Sequence, residues 1–218
     1  MLEVAGNEIQ TLAMDHHGLV AGVCKDLKIA ELIDAKLEID PQRKVSPGKA
    51  VVAMILNGLG FTNKRLYLTH QFFAGKPVER LLYAPISAQD LTDYTLGHTL
   101  DDIFDYGASK LFGEVAFDVA LTNDLLGELN HLDTTSFSVH GQYDAEVEPG
   151  VIELKHGFSK DHRPDLKQAI LSLIVNGPSN IPLWMEPLYQ IPFLNDPNDF
   201  LWSHRAHLLV CRLRSLRH

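Results

Sequence analysis

The chain has 218 residues, of which 45% are hydrophobic and 22% are charged, as in ordinary globular proteins. This length allows one large domain or two small ones with a sizeable core, and the composition argues against wholesale disorder. The formal net charge of −9 and the pI of about 5.6 have the wrong sign for a protein held on DNA by phosphate contacts. Any DNA contact therefore requires a local basic face, because the global electrostatic field opposes it.

No stretch of the sequence has the pattern of a secretory signal or of a membrane span. Acidic residues are scattered through the first thirty positions, and the longest uncharged stretch, residues 168–185, is interrupted by the run Asn-Gly-Pro-Ser-Asn. That stretch is better interpreted as two strands joined by a turn. Two cysteines, Cys24 and Cys211, make no disulfide framework, which suits a reducing compartment. We therefore expect a cytoplasmic protein with no membrane contact.

Helical periodicity dominates residues 1–129. Asp15 is a predicted helix cap, and apolar residues follow it at helical spacing over residues 19–27. The adjacent His16 and His17 are interpreted as polar residues of the helix start. Neighbouring side chains diverge by about 100° on a helix and do not easily face one metal ion.

A further helix is predicted from Ser46 and Pro47, a capping hydroxyl followed by proline at the first helical position. Residues 50–56 are apolar on nearly every side, so this helix should be central in the helical domain. Two longer helices are predicted over residues 94–107 and 108–126. The apolar positions that define the first of these two are Leu96, Leu100, Ile103 and Phe104.

Lys64 and Arg65 stand at the start of a segment rich in aromatic residues, which includes Tyr67, Phe72 and Phe73. A basic pair beside aromatic side chains can contact DNA. The alternative is a solvated helix start above a stripe of core residues, because so short a basic patch is a weak footprint of nucleic-acid binding. We name Lys64 and Arg65 as candidate DNA-binding residues and leave this alternative open.

Near residue 130 the periodicity changes from helical to alternating, which predicts a domain boundary. Residues 131–141, 151–159 and 169–175 have strand patterns, and residues 181–185 extend them. Short links between successive strands suggest an antiparallel three-stranded meander. The sequence thus predicts an α+β protein.

Two runs in the strand region resemble DDE transposases of bacterial insertion sequences. The first is Leu-Asp-Thr-Thr-Ser-Phe-Ser-Val-His-Gly at residues 132–141. The second is Gly-Phe-Ser-Lys-Asp-His-Arg-Pro-Asp-Leu-Lys-Gln at residues 157–168. Three runs nearer the N-terminus, at residues 15–20, 46–51 and 54–61, resemble the helical domain that precedes the catalytic core in one branch of that group.

The resemblance extends from about residue 9 to residue 188 and implies three parts. Residues 1–129 are expected to form the helical N-terminal domain. Residues 130–188 would be the incomplete start of an RNase H-like core, with the antiparallel meander. Residues 189–218 are a divergent tail, expected to be disordered, whose arginines follow the last acid of the chain. This tail suits the hypothesis of a frameshift or deletion.

Asp133 matches the first of the three catalytic acids of the family, although an Asp taken alone is also typical of an exposed edge strand. The resemblance implies Mg²⁺, because DDE chemistry holds two metal ions between several carboxylates. The second and third family acids have no counterpart here. We therefore expect neither stable Mg²⁺ binding nor catalysis by this chain alone. Four other acids could substitute for the missing ones, although each is more simply explained as a solvated residue or a turn residue. They are Glu153, Glu186, Asp196 and Asp199.

The loop of residues 160–167 resembles a loop near the active site of the family. In that interpretation Arg163 and Lys167 are candidate DNA-binding residues that meet phosphate. The alternative is a turn in which Asp161, Arg163 and Asp165 pair with one another.

Three functions remain open at this stage. The first is a truncated DDE-type transposase of an insertion sequence, related to DNA transposition and recombination but inactive alone. The second is a DNA- or protein-binding module that modulates a full-length transposase, and the third is a small metal nuclease that uses a substitute acid. The partners implied by the resemblance are DNA, at the terminal inverted repeats of the element, and another copy of the chain or a full-length transposase.

Overall fold

The computed structural model describes residues 12–59, 64–141, 154–156 and 163–188. The first part of the chain is helical. In chain order its helices are α1 (His17–Asp26), α2 (Ile29–Asp34), α3 (Pro47–Gly58), α4 (Thr69–Phe73), α5 (Val78–Leu82), α6 (Asp93–Tyr106) and α7 (Ala108–Thr122). Short 3-10 turns at Leu66–Leu68 and Ala88–Asp90 precede α4 and α6.

Strands follow the helices. They are β1 (Asn130–Val139), β2 (Lys155–His156), β3 (Lys167–Asn176) and β4 (Pro182–Leu188), and β3 pairs with each of the other three. β2 runs antiparallel to β3, with Lys155 opposite Gln168 and His156 opposite Lys167. The chain is therefore an α+β protein, with a helical N-terminal region followed by an antiparallel sheet, and this prediction is confirmed.

The order of the strands differs from the predicted meander. A meander places β2 between β1 and β3, whereas the observed order is β1-β3-β2, with β4 also paired to β3. β3 is central because alternate residues along its whole length are buried, while the residues of β1 are exposed or half-buried. The remainder of the predicted second strand, residues 160–162 of the loop and the tail at 189–218 lie outside the described residues.

An apolar core fills the space between the helices. Its members include Leu56 of α3, Phe73 of α4, Leu81 of α5 and Leu96 of α6, none of which has more than a trace of solvent exposure. Burial of such side chains is the main favourable contribution to folding. The helical region thus has the continuous apolar interior that a stable domain requires.

α3 begins where the Ser-Pro pair predicts, and a carboxylate of α2 fixes the same end. Ser46 Oγ accepts a hydrogen bond from the backbone N–H of Lys49 (3.4 Å). Asp34 Oδ1 accepts from the backbone N–H of Gly48 (2.6 Å), and Asp34 Oδ2 accepts from the Ser46 hydroxyl (2.7 Å). A Cβ at Gly48 would overlap the backbone carbonyl of Ala30, so only glycine allows α3 to approach α2 this closely.

Two helix ends differ from the prediction. α1 starts at His17, and Asp15 does not cap it, because the backbone of Asp15 is left-handed with φ 47°. α7 ends at Thr122, about one turn earlier than predicted. The Asn123 side chain bonds back to a carbonyl of the last turn (2.8 Å), and Asp124 has φ 52°, which ends the helix.

By its internal contacts the chain divides into two compact units. The first combines the helical region through His131 with Val175–Trp184, and the second contains the other described residues of the sheet. These bounds differ from the simple change of period at residue 130, because a turn late in the sequence belongs with the helices.

Asn176 holds that turn within the first unit. Its Nδ2 donates to the Gly127 carbonyl (3.2 Å), and its Oδ1 accepts from the Gly127 N–H (3.3 Å) and the Ser179 hydroxyl (3.0 Å). Nearby, the Trp184 ring packs on α7 at Gly113, where an added Cβ would come within 2.6 Å of it. A buried amide and a close ring contact therefore attach the turn to the helical region.

Candidate functional site

Asp133 lies on β1, as predicted, and it is exposed. Its Oδ1 accepts a hydrogen bond from the backbone N–H of Thr134 at 2.8 Å. Thr135 and Phe137 follow at alternate positions on the same face, and both are exposed. The face that carries Asp133 is therefore open to solvent at these positions.

The described residues do not fit the Mg²⁺ pair that the resemblance implies. Nowhere in the described part of the chain do three or more His, Cys, Asp or Glu side chains form a group that could hold a metal ion. Two-metal chemistry needs several carboxylates around the ions, and Asp133 supplies one. Among the acids considered as substitutes, Glu186 lies on β4, while Glu153, Asp196 and Asp199 are outside the described residues.

Arg163 is paired within its own turn. Its Nε and Nη2 donate to Asp165 Oδ1 (2.8 Å) and Oδ2 (2.7 Å). This two-point contact raises the pKa of Arg163 and lowers the pKa of Asp165 to about 2. A phosphate at Arg163 would have to displace that carboxylate. Lys167 begins β3 opposite His156, and Asp161, the third member of the turn considered from the sequence, is outside the described residues.

Asp133 and the turn that carries Asp165 lie toward opposite ends of β1. Asn130, which begins β1, accepts a hydrogen bond from Asn176 at the end of β3 (3.2 Å). His140, just after β1, is close enough to Asp165 to lower its pKa. The extended residues between Asp133 and His140 span roughly 23 Å at about 3.3 Å per residue. The predicted acid and the predicted phosphate-binding turn are therefore not brought together.

Lys64 and Arg65 are both exposed, and the backbone of the first is held in place. The buried Asn57 side chain of α3 donates from Nδ2 to the Lys64 carbonyl (2.7 Å) and accepts at Oδ1 from the Lys64 N–H (2.9 Å). The basic pair thus has a defined position at the surface of the helical region. This geometry is compatible with a phosphate contact and equally with a solvated helix start.

His16 and His17 are closer together than helix geometry suggests. Their ring centroids are 4.0 Å apart, and His17 is buried with its ring edge-on to Phe72 at 5.2 Å. Within the described residues, neither ring nitrogen of His17 makes a well-formed hydrogen bond. Burial lowers the pKa of His17, and the charges of His16 and Lys76 lower it further. The interpretation as helix-start residues is confirmed, but His17 is a core residue.

The sequence pattern missed a solvent-facing stripe on α6. Leu96 is buried, whereas Leu100 and Phe104, from the same predicted set of apolar positions, are 43% and 60% exposed. On a helix these two residues are turned away from Leu96 by about 40° and 80°. The acids Asp101 and Asp105 beside them are the sequence signal that this side faces water.

These observations define the class of protein: an α+β chain whose helical region precedes a strand with an exposed acid. A protein-family profile described as Domain of unknown function (DUF4277) matches residues 9–117, which is half of the chain. The protein therefore belongs to the DUF4277 family. No curated protein and no solved structure matches the chain. None of the helices in the described ranges is long and apolar enough to cross a membrane.

Proposed function

We propose that the protein acts in DNA transposition, as a DDE-type transposase of an insertion sequence whose helical domain precedes an RNase H-like core. One observation carries the proposal. The run Leu-Asp-Thr-Thr-Ser at residues 132–136 lies on a strand that follows a domain of a family often found in transposases. In this proposal Asp133 is the first catalytic acid, and the protein acts in the cytoplasm.

The 218 residues by themselves are proposed to be catalytically inactive. Among the described residues, Asp133 belongs to no group of three or more His, Cys, Asp or Glu side chains that could hold a metal ion. One carboxylate does not hold two dications. Strand transfer therefore requires further acids, supplied with a full-length transposase or by another copy of the chain. We derive no chemical step from the residues present.

A second candidate function is a binding module that modulates a full-length transposase. Within the described residues Asp133 belongs to no group of side chains that could hold a metal ion, which favours this interpretation, because a binding module needs no complete acid triad. In the DNA-binding form of this proposal, Lys64 and Arg65 contact phosphate from the position that Asn57 gives them. Arg163 contributes less, because Asp165 already neutralises it.

A nicking assay tests the inactivity of the chain. A labelled duplex with the inverted repeat that flanks the coding sequence is incubated with the chain and Mg²⁺ or Mn²⁺. We expect neither nicked nor joined products, from the wild type or from Asp133→Asn. Metal-dependent nicking that disappears in Asp133→Asn would contradict this expectation and favour the small metal nuclease.

A binding assay on the same duplex tests the DNA contact. The double variant Lys64→Glu and Arg65→Glu should weaken binding, and it should reduce the dependence of log affinity on log salt by roughly 2, about one for each phosphate contact. The matched control, Arg80→Glu with Lys110→Glu, makes the same change of charge elsewhere on the helical region. Equal losses in both double variants, or no preference for the repeat over a mixed sequence, would count against a specific DNA-binding role.

A further inference from the structure

α6 presents a face on which exposed apolar and acidic side chains lie side by side. Tyr94, Leu100 and Phe104 are 74%, 43% and 60% exposed, although all three are large. Asp101 and Asp105 are exposed one turn apart. At about 100° per residue, these five positions cover a sector of about 140° of the helix surface. We call these five residues the α6 face.

Gly97 leaves the middle of the α6 face open. It lies between the apolar and the acidic positions, three residues before Leu100 and four before Asp101. A Cβ built on Gly97 meets no atom within 4 Å. Glycine inside a helix is unfavourable, so its presence here is not explained by helix stability. The missing side chain leaves a shallow gap in which a partner's side chain fits.

α6 carries negative charges that no Lys or Arg of the same helix balances. The helix contains four aspartates and no Lys or Arg. Asp102 is paired with Arg43 at the border of the face, but neither Asp101 nor Asp105 makes an ion pair within the described residues. Two like charges four residues apart repel each other, and negative charge near a helix C-terminus opposes the helix dipole. A cationic partner would relieve both effects.

We propose that the α6 face docks a basic amphipathic helix of a protein partner. The apolar side of such a helix would cover Leu100 and Phe104, and its Lys or Arg side chains would pair with Asp101 and Asp105. The same charges repel the phosphates of DNA. They also oppose pairing of two α6 faces, because that arrangement sets acid against acid. This inference does not depend on the transposase proposal, because it rests on the surface of α6 alone.

A titration with a defined peptide tests the docking face. The probe is a labelled amphipathic peptide of Leu and Lys, about 18 residues long or five helical turns, and the protein is the full chain. The wild type should bind it saturably. The double variants Asp101→Lys with Asp105→Lys, and Leu100→Ser with Phe104→Ser, should each weaken binding by about tenfold or more. Gly97→Gln, which fills the gap with a better helix former, should weaken binding while the helix content is kept.

Matched controls separate docking from general attraction between an acidic protein and a basic peptide. The control is a double variant on α1, Leu19→Ser with Asp26→Lys. It changes an apolar residue that is 75% exposed and an acid at the end of the helix, and it should leave binding unchanged. Equal weakening by this control overturns the proposal, as does equal binding of a peptide with Glu in place of Lys.

Tighter peptide binding after removal of residues 189–218 would assign the face to that segment. A change of oligomeric state in the α6 variants would assign it to a second copy. Either result also overturns the proposal.

Discussion

The helical region and the sheet bury polar side chains in different proportions. The interior of the helical region is mostly apolar, with Leu56, Leu81, Leu91 and Leu96 completely enclosed and a few polar side chains such as His17 and Asn57 among the buried residues. The inward positions of the central strand β3 alternate between polar and apolar side chains. They are Gln168, Ile170, Ser172, Ile174 and Asn176, all of which are buried.

Buried apolar side chains and buried polar side chains contribute to a fold in different ways. An apolar core derives its stability from buried area and tolerates exchange among side chains of similar volume. A buried polar side chain destabilises the fold unless it meets its hydrogen-bond partners. It therefore favours the one strand register, and the one attachment of neighbouring segments, in which those partners are present. We therefore expect the helical region to be the more stable part and the sheet to depend on a few specific contacts.

Limited proteolysis should show the largest contrast. Of the described residues between 132 and 174, the buried apolar ones are Ile170 and Ile174. We expect a non-specific protease to cleave within residues 132–174 well before the helical region. Mass spectrometry of the fragments identifies the sites, and fragments containing Val175–Trp184 should stay with the helical region. Equal cleavage rates in both parts would contradict the comparison.

Gly48→Ala should produce the largest loss of stability among the single substitutions. The new methyl group overlaps the backbone carbonyl of Ala30, and backbone cannot move aside as a flexible side chain does. We expect the free energy of unfolding to fall by about 3 kcal/mol, measured by urea denaturation. The control is Gly22→Ala on α1, where an added Cβ meets nothing within 4 Å. It should gain roughly 0.5–1 kcal/mol, as expected for Ala over Gly in a helix. Equal stability of both variants would argue against close packing of α2 and α3.

Asn176→Ala should weaken the turn more than the helical core. The substitution leaves half-buried polar groups of Gly127 and Ser179 without their partner, so the free energy of unfolding should fall by about 2 kcal/mol. Hydrogen exchange should rise in residues 176–181 while the amides of α3 stay protected. Thr122→Ala, at the exposed end of α7, is the control and should change little. Uniformly faster exchange across α3 would show that this amide supports the whole first unit.

Acidification should destabilise the helical region through His17. Burial, His16 and Lys76 lower the pKa of His17 in the folded state, while Asp15 and the Met14 backbone oppose the shift. The unfolded chain therefore takes up the proton first, as pH falls through about 6.5. The free energy of unfolding should fall from pH 7.5 to pH 5.5 and should fall less in His17→Leu. His70→Gln is the control, and an identical pH dependence in wild type and His17→Leu would contradict the prediction.

Asp105→Asn should give the smallest effect, a gain in stability. It removes a negative charge from the last turn of α6 and its repulsion with Asp101. We expect roughly 0.3–1 kcal/mol of added stability at low salt, diminishing as salt screens the charges. Glu128→Gln, an exposed acid outside the helices, is the control. No gain would show that the charges of α6 are already compensated.

The candidate site was only partly predictable. The alternation of residues 131–139 correctly places Asp133 on a strand with Thr135 and Phe137 on its face. The sequence does not reveal that Asp133 and the turn at Asp165 lie toward opposite ends of β1. Distance along the chain carries no information about which ends of two strands meet, because that depends on their pairing.

Local chemistry in the sequence determined the helix start at Ser46 and the change from helices to strands near residue 130. These features depend on capping groups and side-chain period, which act over a few neighbouring residues. Tertiary structure alone decided that His17 is buried and that β3 is the central strand. Each of these depends on which surface a distant segment covers, and periodicity gives the direction of a side chain without saying what it meets.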